Sequence, residues 1–379
     1  MTASLLLTNA RIVLSDRIFH GWLEIADGVI ASFGEGNTTR SGLDCGGDLV
    51  MPGLVELHTD HLEAHFMPRP KVRWPMTAAV LAYDAQIACS GITTVFDSLR
   101  LGGDDVGNIA QDALALAGSV AEAAAAGQLR ADHRTHLRCE VATTDVVEMV
   151  ERFTAERPAH LISLMDHTPG QRQFRDLAKA RGYFARLGVA SDAEWQRLFD
   201  SRQELHARFA GPNRRALLSI ARQRRIVVAS HDDATAAEVE EAAGDGVAIA
   251  EFPTTVEAAA QSHTAGIAVL MGAPNVVRGG SHSGNVAAEV LARAGTLDIL
   301  SSDYVPNSLL LAALQLPGTV EGIDLPAAIR LVTRNPAEAV GLHDRGEIAA
   351  GKRADLLLVR ESAGAPSLRS VWREGVRVA

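Results

Sequence analysis

The sequence predicts an α/β fold: a (β/α)8 TIM barrel carrying a small β-sandwich domain formed from the N- and C-terminal segments. Three observations carry this. Short apolar, β-branched runs alternate with helix-patterned stretches through the middle of the chain, the mark of parallel β/α architecture. Eight such units over roughly 290 residues fit a closed barrel, whose usual size is roughly 250 residues before insertions. The two ends read as strands and turns without helices between them, and the termini of a domain often lie close together.

The elements follow in order. Residues 4–50 alternate β-type runs with turns, LLLTNARIVL and then WLEIADGVIASFGEG, where Asp27-Gly28 is a hairpin signal. Their complement is DLLLV at 355–359 and SVWREGVRV at 370–378. The expected division is therefore a composite β domain over 1–50 and 345–379 and a barrel over 51–344. The first barrel strand lies in LVMPGLVELHTDHLEAH, residues 49–65. A helix over 76–90 leads to GITTVFD at 91–97, and an Ala-rich helix over 109–127 leads to HLRCE at 136–140. Further strands are expected at 160–166, 225–230, 247–251, 267–271 and 298–302. The largest insertion, 168–225, is rich in Arg, Glu, Gln and Ala and reads as helices. It is expected to serve as a lid or a dimer contact, and a homodimer is the expected assembly.

Composition narrows the class. The chain has 379 residues, 47% hydrophobic but only 4% aromatic, which suits Ala-rich helices packed on a sheet. The net charge of −10 argues against bulk binding to nucleic acid or an anionic membrane, although local basic loops can still hold an anionic small molecule. Cys45, Cys89 and Cys139 are scattered and odd in number, so no disulfide framework is expected and a reducing compartment is. The N-terminus lacks a basic-then-apolar leader pattern. No run of about 18 uncharged apolar residues occurs. A cytoplasmic protein is the expectation.

The chemistry gathers where strands end. In LVELHTD, His58 and Asp60 stand at i and i+2, on one side of the strand. An imidazole beside a carboxylate is the pair a divalent cation prefers. Later strands close in the same way: Glu140 on the third, Asp166-His167 on the fourth, His231-Asp232-Asp233 on the fifth, Glu251 on the sixth and Asp303 on the last. In a barrel all these ends open onto one face, where active sites are built. One such ending is an ordinary solvated cap; six are not.

On these residues the chain resembles the amidohydrolase superfamily, along MPGLVELHTD, GITTV and the closing GEIAAGKRADLLLV. The resemblance implies one or two divalent metals, held by a His pair on the first strand, a bridging carboxylate, two later His and a last-strand Asp. This sequence has Asp60 where the second His is usual and Glu140 in the bridging place. His231 is one later His; the other is His167, or its role falls to Glu251. The metal ligands so implied are His58, Asp60, Glu140, His167 and His231, with zinc expected and manganese or iron admitted by the same donors.

A narrower resemblance is to the PhnM family of bacterial phosphonate breakdown. It rests on PRPKVRWP, LRCE, LMDHTPGQRQF, ASHDDAT, AEFPTT, LMGAPNVVRGGSHSGN and LSSDY. It implies removal of pyrophosphate from α-D-ribose 1-methylphosphonate 5-triphosphate. A triphosphate needs local positive charge, and the expected substrate contacts are Arg69, Lys71, Arg73, Arg172, Glu251, Arg278, Ser281, His282, Ser283 and Asn285. Arginine forks match phosphate oxygens, and a Gly-rich loop can offer free N–H groups. Asp303 is the expected general base. Two readings compete. A cyclic-amide hydrolase of the dihydroorotase or hydantoinase kind would use the same metals but leave the basic loops without a purpose. A metal-free scaffold would have no use for the strand-end set. The remaining histidines, His133 and His136 among them, read as ordinary capping or packing residues.

Overall fold

The computed structural model describes residues 4–103, 109–186, 188–189, 191–281, 283–362 and 365–379. Eight consecutive parallel strands form the central sheet: β1 (Leu54–Thr59), β2 (Ile92–Leu101), β3 (Asp132–Glu140), β4 (Leu161–Met165), β5 (Val227–His231), β6 (Ile249–Glu251), β7 (Ala268–Gly272) and β8 (Ile299–Ser301). The sheet closes just past its last strand. Asp303 N–H donates to the His58 carbonyl at 3.1 Å, and Asp60 N–H donates to the Asp303 carbonyl at 3.3 Å. Closure therefore brings three residues of the candidate site into the same backbone ladder.

The chain ends form a second eight-stranded, mixed sheet. In it Leu49–Pro52 lies between Leu5–Val13, which it pairs in parallel, and Leu356–Arg360, which it pairs antiparallel. This sheet has an apolar cluster of its own, with Leu7, Ile12, Leu23, Ile30, Val50 and Leu356 buried in it. The switch between the two sheets falls at Gly53. A Cβ there would lie 2.3 Å from Thr93 Oγ1, so only glycine lets the two backbones pass this closely. The run 49–57 thus belongs to both sheets, and apolar periodicity alone does not mark the crossing.

Two strands are longer than expected. β2 continues through Asp97, Ser98 and Arg100, and β3 begins at Asp132. Polar residues persist inside these strands because each finds a buried partner. Asp97 meets His133 at 3.0 Å, and Ser98 meets His136 at 3.1 Å. His136 is therefore mid-strand and fully buried inside the barrel, not at a remote strand end.

The insertion between β4 and β5 contains the helices Leu177–Arg186, Asp192–Leu205 and Gly211–Arg224. The first two, with the turn just before them, carry an aromatic cluster: Phe174 stands 5.1 Å from Tyr183 and 5.7 Å from Phe184, and Phe184 stands 6.1 Å from Trp195. Among the described residues no helix is long and apolar enough to cross a membrane.

Candidate active site

Strand alternation turns His58 and His231 into the barrel mouth, and one carboxylate fixes both. Glu251, the last residue of β6, accepts from His58 Nδ1 at 3.0 Å and from His231 Nδ1 at 3.1 Å. Each Nδ1 therefore carries a proton in these bonds, and each Nε2 is left to offer its lone pair to a cation. The two rings stack 5.6 Å apart with planes 22° from parallel. Burial disfavours charge on His58, but the Glu251 carboxylate outweighs it and holds the pKa above the ordinary imidazole value. Burial likewise opposes ionisation of Glu251, yet the charge on His58 and the hydrogen bonds from His231 and His58 keep its carboxyl well below the ordinary range.

Three donor groups can be drawn around this floor, each with its ligand atoms within 4.8 Å of one another: His58, Asp60 and Asp303; His167, His231 and Asp232; and His58, His136 and Glu251. The first two open onto the cavity and the third is buried beneath it. Mixed imidazole and carboxylate donors suit a divalent transition ion. A carboxylate behind each imidazole is the usual support of a metal-ligating histidine, and His167 has one too, since Glu140 accepts from its Nδ1 at 2.6 Å and from its backbone N–H at 3.0 Å. The residues present fit a bound divalent ion.

Backbone geometry sharpens the aim. Asp232, Phe252 and Asp303, at or just past the ends of β5, β6 and β8, have φ of 59°, 54° and 53°. The left-handed region costs a non-glycine residue roughly 1–2 kcal/mol. Here it bends the chain sharply over the mouth, placing Asp232 and Asp303 against the cavity.

Charge is distributed unevenly. Arg138, on β3 two residues before Glu140 and so on the same side, places Nη1 2.6 Å from Asp60 Oδ1. Burial would raise the Asp60 pKa, but Arg138, His58 and Arg100 override it and bring it down to about 2. Burial raises the Asp303 pKa, and the neighbouring Asp60 carboxylate adds to the rise. His136 is held neutral, its pKa lowered to about 3 by burial.

The cavity, of about 380 Å³, gathers His58, Asp60, Glu140, His167, His231 and Asp303 from the strand-end set, with Arg278, Ser281, Ser283 and Asn285 from the loop side. Not every expected contact is placed at the cavity. Arg69, Lys71 and Arg73 do not line it among the described residues. The helix His61–Phe66 carries that string outward, where Arg73 pairs with Asp112 at 2.8 Å. Arg172 is buried, bonded to the Asp233 carboxylate and to the His231 carbonyl, so its charge is already matched. Glu251 is wholly buried and serves the imidazoles rather than the cavity surface. Glu140 lines the cavity but stands outside the three donor groups, both its oxygens occupied by His167. His282 lies outside the described residues.

Three contributors have no place in that expectation, Arg100, Arg138 and Arg202, and Asp232, one of the strand-end set but not among the expected ligands, lines the cavity with them. Arg138 had a signal, the i, i+2 spacing to Glu140. Arg202 sits in the helical insertion and had none.

Comparison with known proteins accords with this geometry. The sequence pattern of the amidohydrolase family matches residues 213–378. Over 99% of its length the chain is 45% identical to all of the alpha-D-ribose 1-methylphosphonate 5-triphosphate diphosphatase of Escherichia coli K12. The chain belongs to that diphosphatase family. N-isopropylammelide isopropylaminohydrolase from Burkholderia multivorans superimposes with a TM-score of 0.66, at 18% identity, covering 100% of this chain and 98% of that one. N-acetyl-D-glucosamine-6-phosphate deacetylase from Mycobacterium smegmatis gives 0.64, at 18% identity, over 99% and 100%. These two share the fold of this chain, and the strand-end placement of polar side chains follows from a barrel.

Proposed function

We propose that this protein hydrolyses α-D-ribose 1-methylphosphonate 5-triphosphate to the 5-phosphate and pyrophosphate, a cytoplasmic step of phosphonate catabolism ahead of carbon–phosphorus cleavage. The observation that carries the reading is one cavity lined by the guanidinium groups of Arg100, Arg138, Arg202 and Arg278 together with imidazoles and carboxylates, in which Arg202 and Arg278 have no carboxylate partner among the described residues. That concentration of positive charge, in a chain of net −10, suits a polyphosphate. A cyclic amide such as dihydroorotate offers at most a single carboxylate, not a run of phosphates.

His167, His231 and Asp232 would hold one divalent ion, and His58, Asp60 and Asp303 offer a second set. Zinc is the expected ion, with manganese or iron admitted by the donors. When bound, the ion supplies Lewis acidity at the phosphoryl group. Asp303 takes a proton from the attacking water, a role suited to its raised pKa and its place in the cavity wall. Oxygen bonds to the α-phosphorus as the bond to the pyrophosphate oxygen breaks, and the electron pair leaves with pyrophosphate. Guanidinium groups offset the charge that grows on the phosphoryl oxygens. Glu251 and Glu140 touch no substrate in this scheme; they orient His58, His231 and His167.

The test is product analysis with purified, metal-loaded protein. Pyrophosphate and ribosyl 5-phosphate should appear in equal amounts from the ribosyl triphosphate, with no turnover of dihydroorotate or hydantoin. Release of orthophosphate alone, or ring opening of the amides, would refute the reading.

A further inference from the structure

Most cationic side chains near the cavity are already matched. Arg138 is paired with Asp60 and Arg172 with Asp233. Two are not. Among the described residues Arg202 has no side-chain partner, and the Arg278 guanidinium reaches only the Tyr304 hydroxyl, at 3.5 Å. Both line the cavity, and they come from different elements: Arg202 from the insertion helix Asp192–Leu205, Arg278 from the end of the helix Ala273–Arg278 after β7.

The structure holds these two elements in place independently of any ligand. Next to Arg202, the Gln203 amide donates to the Pro169 carbonyl, and His206 Nδ1 stands 2.7 Å from Asp166 Oδ2. These bonds tie the insertion to the segment that leaves β4. Across the mouth, Lys179 Nζ donates to the carbonyls of Ser283 at 3.4 Å and Gly284 at 3.5 Å. That contact ties the insertion to the loop that follows Arg278. Helices fastened at both edges of a cavity can present a guanidinium with little reorganisation on binding.

We propose that Arg202 and Arg278 form the subsite for the leaving pyrophosphate, so that the β4–β5 insertion is what makes this barrel select a triphosphate. The assignment deepens the reading above and rests on it. Two unpaired guanidinium groups answer the two phosphates of the leaving group, the part of the substrate with the densest charge and the part on which charge increases as the bond breaks. The cationic groups nearer the floor are engaged with its carboxylates. On this arrangement a 5-triphosphate is preferred to a 5-diphosphate, which can satisfy only one of the pair, and inorganic pyrophosphate is a product inhibitor.

The experiment is calorimetric titration of metal-loaded protein with inorganic pyrophosphate and, separately, with the ribosyl 1-methylphosphonate 5-phosphate product. Arg202→Ala should weaken pyrophosphate binding by about 10- to 100-fold, the loss of a charge-assisted hydrogen-bonding group, and leave the ribosyl product within about 3-fold. Arg202→Lys should recover part of the loss, since it restores the charge without the fork. Arg278→Ala, on a separate element, should show the same pattern and reports independently if Arg202→Ala does not fold. Unchanged pyrophosphate binding in both alanine variants overturns the assignment. So does a loss confined to the ribosyl product, which would place Arg202 at the phosphonate end, or failure of the wild-type protein to bind pyrophosphate. If the wild type binds pyrophosphate through Arg202 but releases none from the ribosyl triphosphate, the subsite stands and the proposed reaction falls.

Discussion

Glu251 accepts from His58 Nδ1 at 3.0 Å and leaves the opposite nitrogen of that ring facing the cavity. Its other oxygen does the same for His231. A buried glutamate that touches neither solvent nor cavity thus sets the direction of both rings proposed to hold metal. In Glu251→Gln one oxygen becomes an NH2 donor, which cannot accept from an imidazole N–H. One of the two rings must turn or change tautomer. We expect metal affinity to fall about 10- to 100-fold, the usual cost of losing such support. Competition against a calibrated chelator measures it, with far-UV circular dichroism as the check on folding. Wild-type affinity in a folded Glu251→Gln protein would remove Glu251 from this role.

Asp303 combines a cavity position, a raised pKa and a left-handed backbone. Asparagine tolerates that φ and keeps the size while losing the ability to take a proton. Asp303→Asn should lower kcat about 10²- to 10⁴-fold, the range typical of general acid–base catalysis. Elemental analysis should find at least one ion per chain retained, because His167, His231 and Asp232 are untouched. Turnover within a few-fold of the wild type excludes Asp303 as the base.

Gly53 marks the crossing between the two sheets. Its substitution by alanine forces a methyl group onto the Thr93 side chain, with the nearest atom at 2.3 Å. The neighbour is itself part of β2 and fully buried, so it cannot swing away. Gly53→Ala should cost about 1–3 kcal/mol, the range of overpacked cores, read as a lower denaturant midpoint. An unchanged midpoint would mean that the junction relaxes freely and does not fix the terminal sheet to the barrel.

The floor of the site was legible because a strand that switches from apolar to His, Asp or Glu carries its own direction. Period-2 alternation placed His58 with Asp60, and closure at Asp303 followed from the fold class. The arginine-bearing wall of the cavity was not legible in the same way. Arg69, Lys71 and Arg73 are near His58 in sequence, but a six-residue helix carries them away from it. Arg202 is far in sequence and near in space, because side-chain bonds such as His206 to Asp166 dock its helix. Such docking has no period to read. His133 and His136 were passed over for a related reason. Polar residues inside a strand look like loop until their buried partners on the next strand are known.

His133 shows what such a partner does. Its Nδ1 meets Asp97 at 3.0 Å and its Nε2 meets Asp84 at 3.2 Å. Tyr83 donates to the same Asp97 at 2.9 Å, and Arg130 to Asp84 at 3.1 Å. Burial disfavours the imidazolium, but the Asp97 and Asp84 carboxylates prevail and raise the pKa from 6.5 to about 9. A folded-state pKa above the unfolded one stabilises the protein fully below pH 6.5, and the contribution disappears as pH rises through about 9. At 1.36 kcal/mol per pH unit the full contribution is about 3 kcal/mol. His133→Gln should therefore be less stable than the wild type by about that amount at pH 6. The gap should narrow steadily between pH 6.5 and 9, whatever the other titrating groups do, since they are common to both proteins. Denaturant midpoints across this range measure the gap directly. A difference that stays constant with pH would show that His133 is neutral in the folded protein and that Asp97 and Asp84 merely accept from it.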